Sequence, residues 1–124
     1  MNRRTVTIRI RRQHAAVVQD MRTRFIAAWN TGNYQGEYFD FESPAALFRV
    51  LSPKRWELIE KLQAEGPMGV RALARALERD VRRVHDDAQT LIDVGLVEKD
   101  DNGKLWVPFE EIQAQFALRK HAAA

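Results

Sequence analysis

The chain contains no cysteine, and this absence removes several classes of site. Without thiols the protein can form no disulfide and can hold no thiolate-bound zinc or iron–sulfur cluster. No part of the sequence approaches the ~18 consecutive apolar residues that a membrane helix needs. The basic start of the chain also lacks the apolar stretch of a secretory signal peptide. We therefore expect a cytoplasmic protein that does not enter a membrane.

Signatures of catalysis are equally scarce. The three histidines, His14, His85 and His121, lie far apart and show no paired-ligand spacing such as HExxH. The sequence has no glycine-rich phosphate loop and no nucleophile elbow around a serine. Its neighbouring acidic pairs, at 86–87 and 110–111, diverge on a regular helix or strand. We expect no enzymatic activity, no metal and no cofactor.

Positive charge is concentrated at the start of the chain. The 124 residues carry a net charge of +3. Residues 1–24 alone contain seven arginines and one aspartate, a net of +6, whereas residues 53–94 are neutral overall. A basic arm of this kind suits nucleic acid or an acidic partner. The alternative is a solvated tail that only aids solubility.

The first 36 residues are predicted to form a strand and a helix. Thr5–Ile10 alternates apolar with polar residues, as a strand does, and a helical apolar stripe runs from about Arg12 to Trp29. The edge of the strand needs covering. We expect a homodimer interface here, although the stripe could instead complete the core of the monomer. The predicted interface consists of Val6, Ile8, Ile10, Val18, Met21, Phe25 and Trp29.

Residues 43–94 carry start and stop signals for several helices. A serine followed by a proline suits the N-cap and the first helical position, and this pair occurs at 43–44 and 52–53. The Gly66-Pro67 break ends the second helix. A short helix then begins near Val70, and Asp80 can cap a longer helix that continues to Val94.

Three shorter segments also have a predicted secondary structure. Asn102-Gly103 lies between two apolar-alternating runs and predicts a β-hairpin. Glu37–Phe41 is either a second strand or an aromatic segment over the core. After Pro108, alternating apolar residues favour a strand, and two glutamates favour a helix.

Three segments carry a family resemblance: FESPAALFRVLSPKRWELIEKL, GVRALARALERDVRRVHDDAQTLIDVGLVEK and DNGKLWVP. In this order they resemble small prokaryotic winged helix-turn-helix regulators of the MarR/ArsR-like type. More narrowly, the chain is similar to short antitoxin-like DNA-binding proteins. The resemblance covers about Phe41 to Val107 and implies a dimeric, non-catalytic repressor, with a cognate toxin as a further partner in the antitoxin case.

We therefore expect an α+β fold, a winged helix-turn-helix with an N-terminal strand–helix extension. Residues 1–36 would be the extension, residues 37–108 the DNA-binding domain, and residues 109–124 a C-terminal strand or tail. The expected function is sequence-specific binding of double-stranded DNA by a transcriptional regulator. Alternatives of other classes are a protein-interaction module, such as an antitoxin, and an RNA-binding winged helix.

The candidate DNA contacts follow from the faces of the two central helices. The second helix of a helix-turn-helix places its first residues at base edges in the major groove. Arginine suits guanine, glutamine suits adenine, and an acid suits cytosine. The preceding helix and the turn suit phosphates, and the hairpin can reach an adjacent backbone. The candidates are Arg82, Arg83, His85, Asp86 and Gln89 for bases, Arg71, Arg75 and Arg79 for phosphates, and Lys99 and Lys104 on the hairpin.

A purely structural interpretation competes with this one. Arg82 and Arg83 could pair with Asp86 and Asp87 four residues later, as on many solvated helix faces. Related sequences more often have a basic residue at the position of Asp86, and this departure weakens the prediction of a base contact there.

Overall fold

A computed structural model of the chain describes residues 4–11 and 36–120. The chain divides into two compact units, residues 1–47 with 111–124 and residues 48–110. We call the first the sheet unit and the second the helical unit. The predicted helix over residues 12–29, with Val18, Met21, Phe25 and Trp29, lies outside the described residues.

Within its described residues the sheet unit contains three parallel strands. They are β1 (Thr5–Ile10), β2 (Glu37–Phe41) and β5 (Glu111–Gln115), in the order β2-β1-β5. Val6 lies opposite Glu37 on one side and Ile112 on the other. The strand predicted at Thr5–Ile10 is confirmed, and both ambiguous segments, at 37–41 and after Pro108, contain strands.

The central position of β1 corrects one expectation. We expected the edge of β1 to be covered by a dimer partner, whereas β2 and β5 of the same chain occupy its two edges. Val6 and Ile8 are 1% and 0% exposed, so they belong to the core of the monomer and present no surface to a partner. Ile10 is half-buried. Dimerisation through the N-terminal region stays a prediction.

The helical unit is inserted into the connection between two strands of the sheet. β2 and β5 lie on opposite sides of β1, and a connection between parallel strands of one sheet requires a long crossover. The chain from β2 to β5 passes through residues 42–110. The units therefore have other bounds than the three expected segments. Residues 37–47 belong with β1, because β2 pairs with β1, and residues 111–115 belong there for the same reason.

Helix boundaries follow the capping signals. Helix α1 spans Pro44–Val50, α2 Pro53–Glu65, α3 Val70–Leu77 and α4 Val81–Val94. The Ser52 hydroxyl accepts a hydrogen bond from the backbone N–H of Arg55 at 3.4 Å, with Pro53 at the first helical position. Gly66 ends α2 and Gly95 ends α4, both with positive φ that favours glycine.

The core of the helical unit lies among α2, α3 and α4, which pack on one another. Each large aliphatic side chain buried there contributes roughly 1.5–3 kcal/mol. The fully buried side chains are Leu51, Leu58, Ile59, Leu62, Leu73, Ala74, Val84, Ala88, Leu91, Leu96, Val97, Leu105 and Phe109.

Helices and small sheets occur together in the described residues, so the predicted α+β class is confirmed.

A short hairpin completes the helical unit. Strands β3 (Glu98–Lys99) and β4 (Leu105–Trp106) pair antiparallel, as the Asn-Gly signal predicts. The Asp100 carboxylate accepts hydrogen bonds from the backbone N–H groups of Asn102 and Lys104 at 2.9 and 2.8 Å. Met68, between α2 and α3, exchanges two backbone hydrogen bonds with Leu105, so a third extended segment lies against the hairpin.

Candidate nucleic-acid interface

A tight turn separates α3 from α4 and fixes where α4 begins. Glu78 adopts the left-handed conformation with φ 54°, uncommon for a residue with a side chain. The Asp80 carboxylate accepts a hydrogen bond from the backbone N–H of Arg83 at 3.2 Å, so Asp80 caps α4 as predicted. The first turn of α4 therefore has a defined start, and its side chains point in defined directions.

The faces of α4 are sharply divided. Val84, Ala88 and Leu91 are buried, at three- and four-residue spacing. Other positions are half-buried or exposed, and the five predicted base-contacting residues are all exposed. Exposed on α4 are Arg82, Arg83, His85, Asp86 and Gln89.

The two arginines at the start of α4 are not neutralised by their helix. Within residues 4–11 and 36–120, neither the Arg82 nor the Arg83 side chain forms an ion pair. Asp86 instead lies 3.5 Å from Nδ1 of His85. The pairing at four-residue spacing that the structural interpretation required is absent from the described residues. Two cationic side chains therefore remain available on the outer face of α4.

Two further arginines are exposed on α3. Arg71 and Arg75 flank Leu73 and Ala74, which face the core. In the described part of the chain the Arg71 and Arg75 side chains have no carboxylate partner. With the two arginines of α4, these side chains give the α3–α4 pair four unpaired positive charges.

A small cleft joins α4 to the hairpin. It encloses about 50 Å³ and is lined by His85 and Gln89 from α4 and by Lys99 and Gly103 from the hairpin, over an apolar floor. The structure thus brings together residues predicted separately on the helix and on the hairpin. Lys104 lies exposed at the hairpin turn. Gln89 donates a hydrogen bond to the Asp93 carboxylate at 3.1 Å.

Asp87 forms an ion-pair network that joins α4 to α2 and to the α3–α4 turn. Its carboxylate accepts hydrogen bonds from Nε of Arg55 at 3.0 Å and from Nη2 of Arg79 at 2.6 Å. Nη1 of Arg55 also donates to the carbonyl oxygen of Val50 at 2.8 Å. Burial acts to raise the pKa of Asp87, but the hydrogen bonds and charges of Arg79 and Arg55 outweigh it and hold that pKa below its ordinary value.

Arg79 is therefore placed differently from the other predicted DNA contacts. Its side chain is only 12% exposed and its guanidinium is held by Asp87. Sequence reasoning missed this network, although a signal was present. Asp87 lies three residues after Val84 and four before Leu91, within the buried stripe, and a carboxylate at such a position requires a partner. The predicted phosphate contact of Arg79 stays a prediction.

An open groove of about 660 Å³ lies beside the start of α4. Its walls are the end of α1, the start of α2, the α3–α4 turn and the first two turns of α4. Five cationic and two acidic side chains line it, a net of three positive charges. The cationic residues are Arg49, Lys54, Arg55, Arg79 and Arg83.

A family model named HVO_A0114 matches residues 50–114, just over half of the chain. The chain belongs to the HVO_A0114 family. No curated protein matches the sequence, and no solved structure matches it either.

The HVO_A0114 match covers every predicted DNA contact and the whole Asp87 network, from Arg55 to Lys104. It excludes β1 and β2. Among the described residues of this HVO_A0114 member, no helix is both long and apolar enough to cross a membrane. Nor do histidine, aspartate or glutamate side chains gather there in a group of three that could hold a metal ion.

Proposed function

We propose that the protein is a sequence-specific regulator of transcription, most simply a repressor, that binds double-stranded DNA through a winged helix. The observation that carries this proposal is the outer face of α4, where Arg82 and Arg83 are exposed and form no ion pair within the described residues. The order α2, α3, α4 and hairpin, with the Met68 segment against β4, supports a winged helix-turn-helix.

In this proposal α4 enters the major groove with its first turn. Arg82 or Arg83 reads guanine, and Gln89 can read adenine if it releases Asp93. Arg71 and Arg75 on α3 contact phosphates, and Lys99 and Lys104 on the hairpin reach the neighbouring backbone. Asp86 is suited to cytosine N4, with His85 beside it.

A homodimer fits this function, because one such helix reads only a few base pairs. Two copies on half-sites about one helical turn apart would supply the missing specificity. The proposed regulator acts without a cofactor and without catalysis.

A second candidate is a module that binds a partner protein, as an antitoxin binds a toxin. Large apolar side chains are exposed after β5, with Phe116 at 42% and Leu118 at 77%. Such a surface suits a protein partner. This candidate requires neither Arg82 nor Arg83, so variants of these residues separate the two functions.

The test is DNA binding over a range of salt concentrations, with variants. The wild-type protein should bind duplex DNA with a slope of log K against log salt near −0.9 for each phosphate neutralised. Arg82→Ala or Arg83→Ala should lose about 1–3 kcal/mol on the preferred sequence and relax the preference at one position. Arg71→Ala is the matched control, and should weaken all sequences similarly.

Two results would contradict the proposal. Absence of duplex binding at low salt on genomic fragments, or an affinity that does not change with salt, would exclude a DNA-binding function. Equal losses on preferred and random DNA for all three arginine variants would reduce α4 to phosphate contacts and would remove sequence specificity.

A further inference from the structure

The groove beside α4 combines fixed and exposed positive charge. Arg55 and Arg79 are fixed at its wall by Asp87, and their side chains are 22% and 12% exposed. Arg49, Lys54 and Arg83 are exposed, and none has an ion pair among the described residues. The cations at the rim of the groove are therefore unpaired among the described residues, whereas Asp87 at its wall is already paired with Arg55 and Arg79.

A helix end strengthens the positive potential of the groove. The groove contains the start of α2, a 13-residue helix whose N-terminal end carries the positive end of the helix dipole. The remaining carboxylate in the groove, Asp86, is 74% exposed and is well solvated.

The lining also limits what can bind. Among the described residues that line the groove, no side chain is aromatic, so a nucleobase would find no stacking surface. Guanidinium and ammonium groups instead match phosphate oxygens in charge and in hydrogen-bond donors. The groove is open along the surface, as a continuous polymer backbone requires.

We propose that this groove binds the sugar–phosphate backbone of the DNA strand that flanks the site read by α4, through Arg49 and Lys54. This inference rests on the proposed DNA-binding function and adds a second phosphate-binding surface to it. Arg83 lies both on the outer face of α4 and on the rim of the groove, so the two DNA-binding surfaces are continuous at this residue. The Asp87 network acts through Arg55 and Arg79 by holding the groove walls in place.

The experiment measures binding of a labelled random-sequence duplex by the full chain over a range of salt concentrations. The variants are Arg49→Gln, Lys54→Gln and the double variant. The control is Lys61→Gln, which removes the same charge two turns further along α2 and outside the groove. Each groove variant should lower the steepness of the salt slope by about 0.9, and affinity near 0.1 M salt about eightfold. The double variant should show about twice the change in slope, and Lys61→Gln little change.

Two outcomes would overturn the groove alone. One is wild-type DNA binding with a slope that the double variant leaves unaltered, which would leave the proposed function standing. The other is an equal loss in Lys61→Gln, since this would show an effect of overall charge rather than of a site. A wild-type protein that binds no duplex DNA would overturn both proposals. Circular dichroism verifies the fold of each variant, and Arg49 and Lys54 are both exposed.

Discussion

Arg4 and Arg9 of the sheet unit are paired with acids, whereas the exposed arginines of α3 and α4 in the helical unit are not paired within the described residues. In the sheet unit, Arg4 makes two hydrogen bonds with Glu37 at 2.9 and 3.0 Å. Arg9 pairs with Asp40 at 3.0 Å and lies 3.8 Å from the centre of the Tyr38 ring. In the helical unit, by contrast, the exposed arginines of α3 and α4 have no ion pair within the described residues.

The difference shows that charge in a sequence segment is not the same as charge available to a partner. Residues 1–24 have the highest net charge, but two of their arginines are paired with the acids of β2. Residues 53–94 are neutral overall, yet Arg82 and Arg83 are exposed on α4 without an ion pair within the described residues. Arg4 and Arg9 are therefore less available to an electrostatic partner than the exposed arginines of α3 and α4.

The largest expected effect comes from isolating the helical unit as a fragment of residues 48–110. This unit has its own buried core, so we expect it to fold with cooperative thermal unfolding. It should keep the salt slope per chain of the full protein on random duplex DNA. If the sheet unit carries the dimer contacts, affinity for paired half-sites should fall about 10²–10⁴-fold. Binding titrations measure the salt slope and the affinity for paired half-sites, and sedimentation equilibrium measures whether the fragment is a dimer.

Two results would contradict the contrast between the helical unit and the sheet unit. A fragment that folds but has a much shallower salt slope would place the DNA-binding charge in the sheet unit. A fragment that remains dimeric would place the dimer contacts among residues 48–110. Deleting residues 1–32 instead would be a poor test, because it removes β1 and leaves β2 and β5 without their common neighbour.

The features that could be predicted from the sequence are local. The Ser52-Pro53 start, the Asp80 cap and the Asn102-Gly103 hairpin each depend on residues within a few positions of one another, and the structure confirms each of them. The exposure of the candidate face on α4 is similarly local, because helical periodicity separates it from the buried positions.

The features that could not be predicted depend on residues far apart in the chain. β1 pairs with β5 across more than a hundred residues, and alternation within a strand does not specify which strand is its neighbour. Arg55 and Asp87 meet across 32 residues. For the same reason short-range patterns do not predict the acidic partners of Arg4 and Arg9 on β2. Such contacts depend on tertiary packing, which short-range patterns do not contain.

The next effect in size concerns Asp87, the carboxylate that pairs with Arg55 and Arg79. Asp87→Ala would leave Arg55 and Arg79 partly buried without their carboxylate, so we expect a loss of about 2–3 kcal/mol in the free energy of unfolding. Asp87→Asn keeps one acceptor and should lose less. Chemical denaturation at neutral pH measures both. A change within about 0.5 kcal/mol for Asp87→Ala would show that the network does not hold the helices together.

The same residue predicts a dependence on pH. The pKa of Asp87 in the folded protein is lowered from the ordinary value of 3.8. The ionised Asp87 carboxylate therefore stabilises the fold fully above pH 3.8, and this stabilisation is lost as the pH falls through the pKa of the folded state. The stability difference between wild type and Asp87→Ala should therefore be constant above about pH 5 and shrink in more acidic solution. A difference that grows on acidification would contradict the assigned direction of the shift.

The smallest expected effects concern the paired arginines of the sheet unit. The Arg9–Asp40 pair is 13% and 17% exposed, and a double-mutant cycle with alanine should give a coupling of about 1–2 kcal/mol in unfolding. The Arg4–Glu37 pair is 38% and 33% exposed, so solvent screens it and its coupling should be about 0.5 kcal/mol. Neither Arg4→Ala nor Arg9→Ala should change the salt slope of DNA binding, since their charges are already paired. A slope that becomes shallower by about 0.9 in either variant would mean that this arginine contacts a phosphate, and the contrast between the two units would then fail.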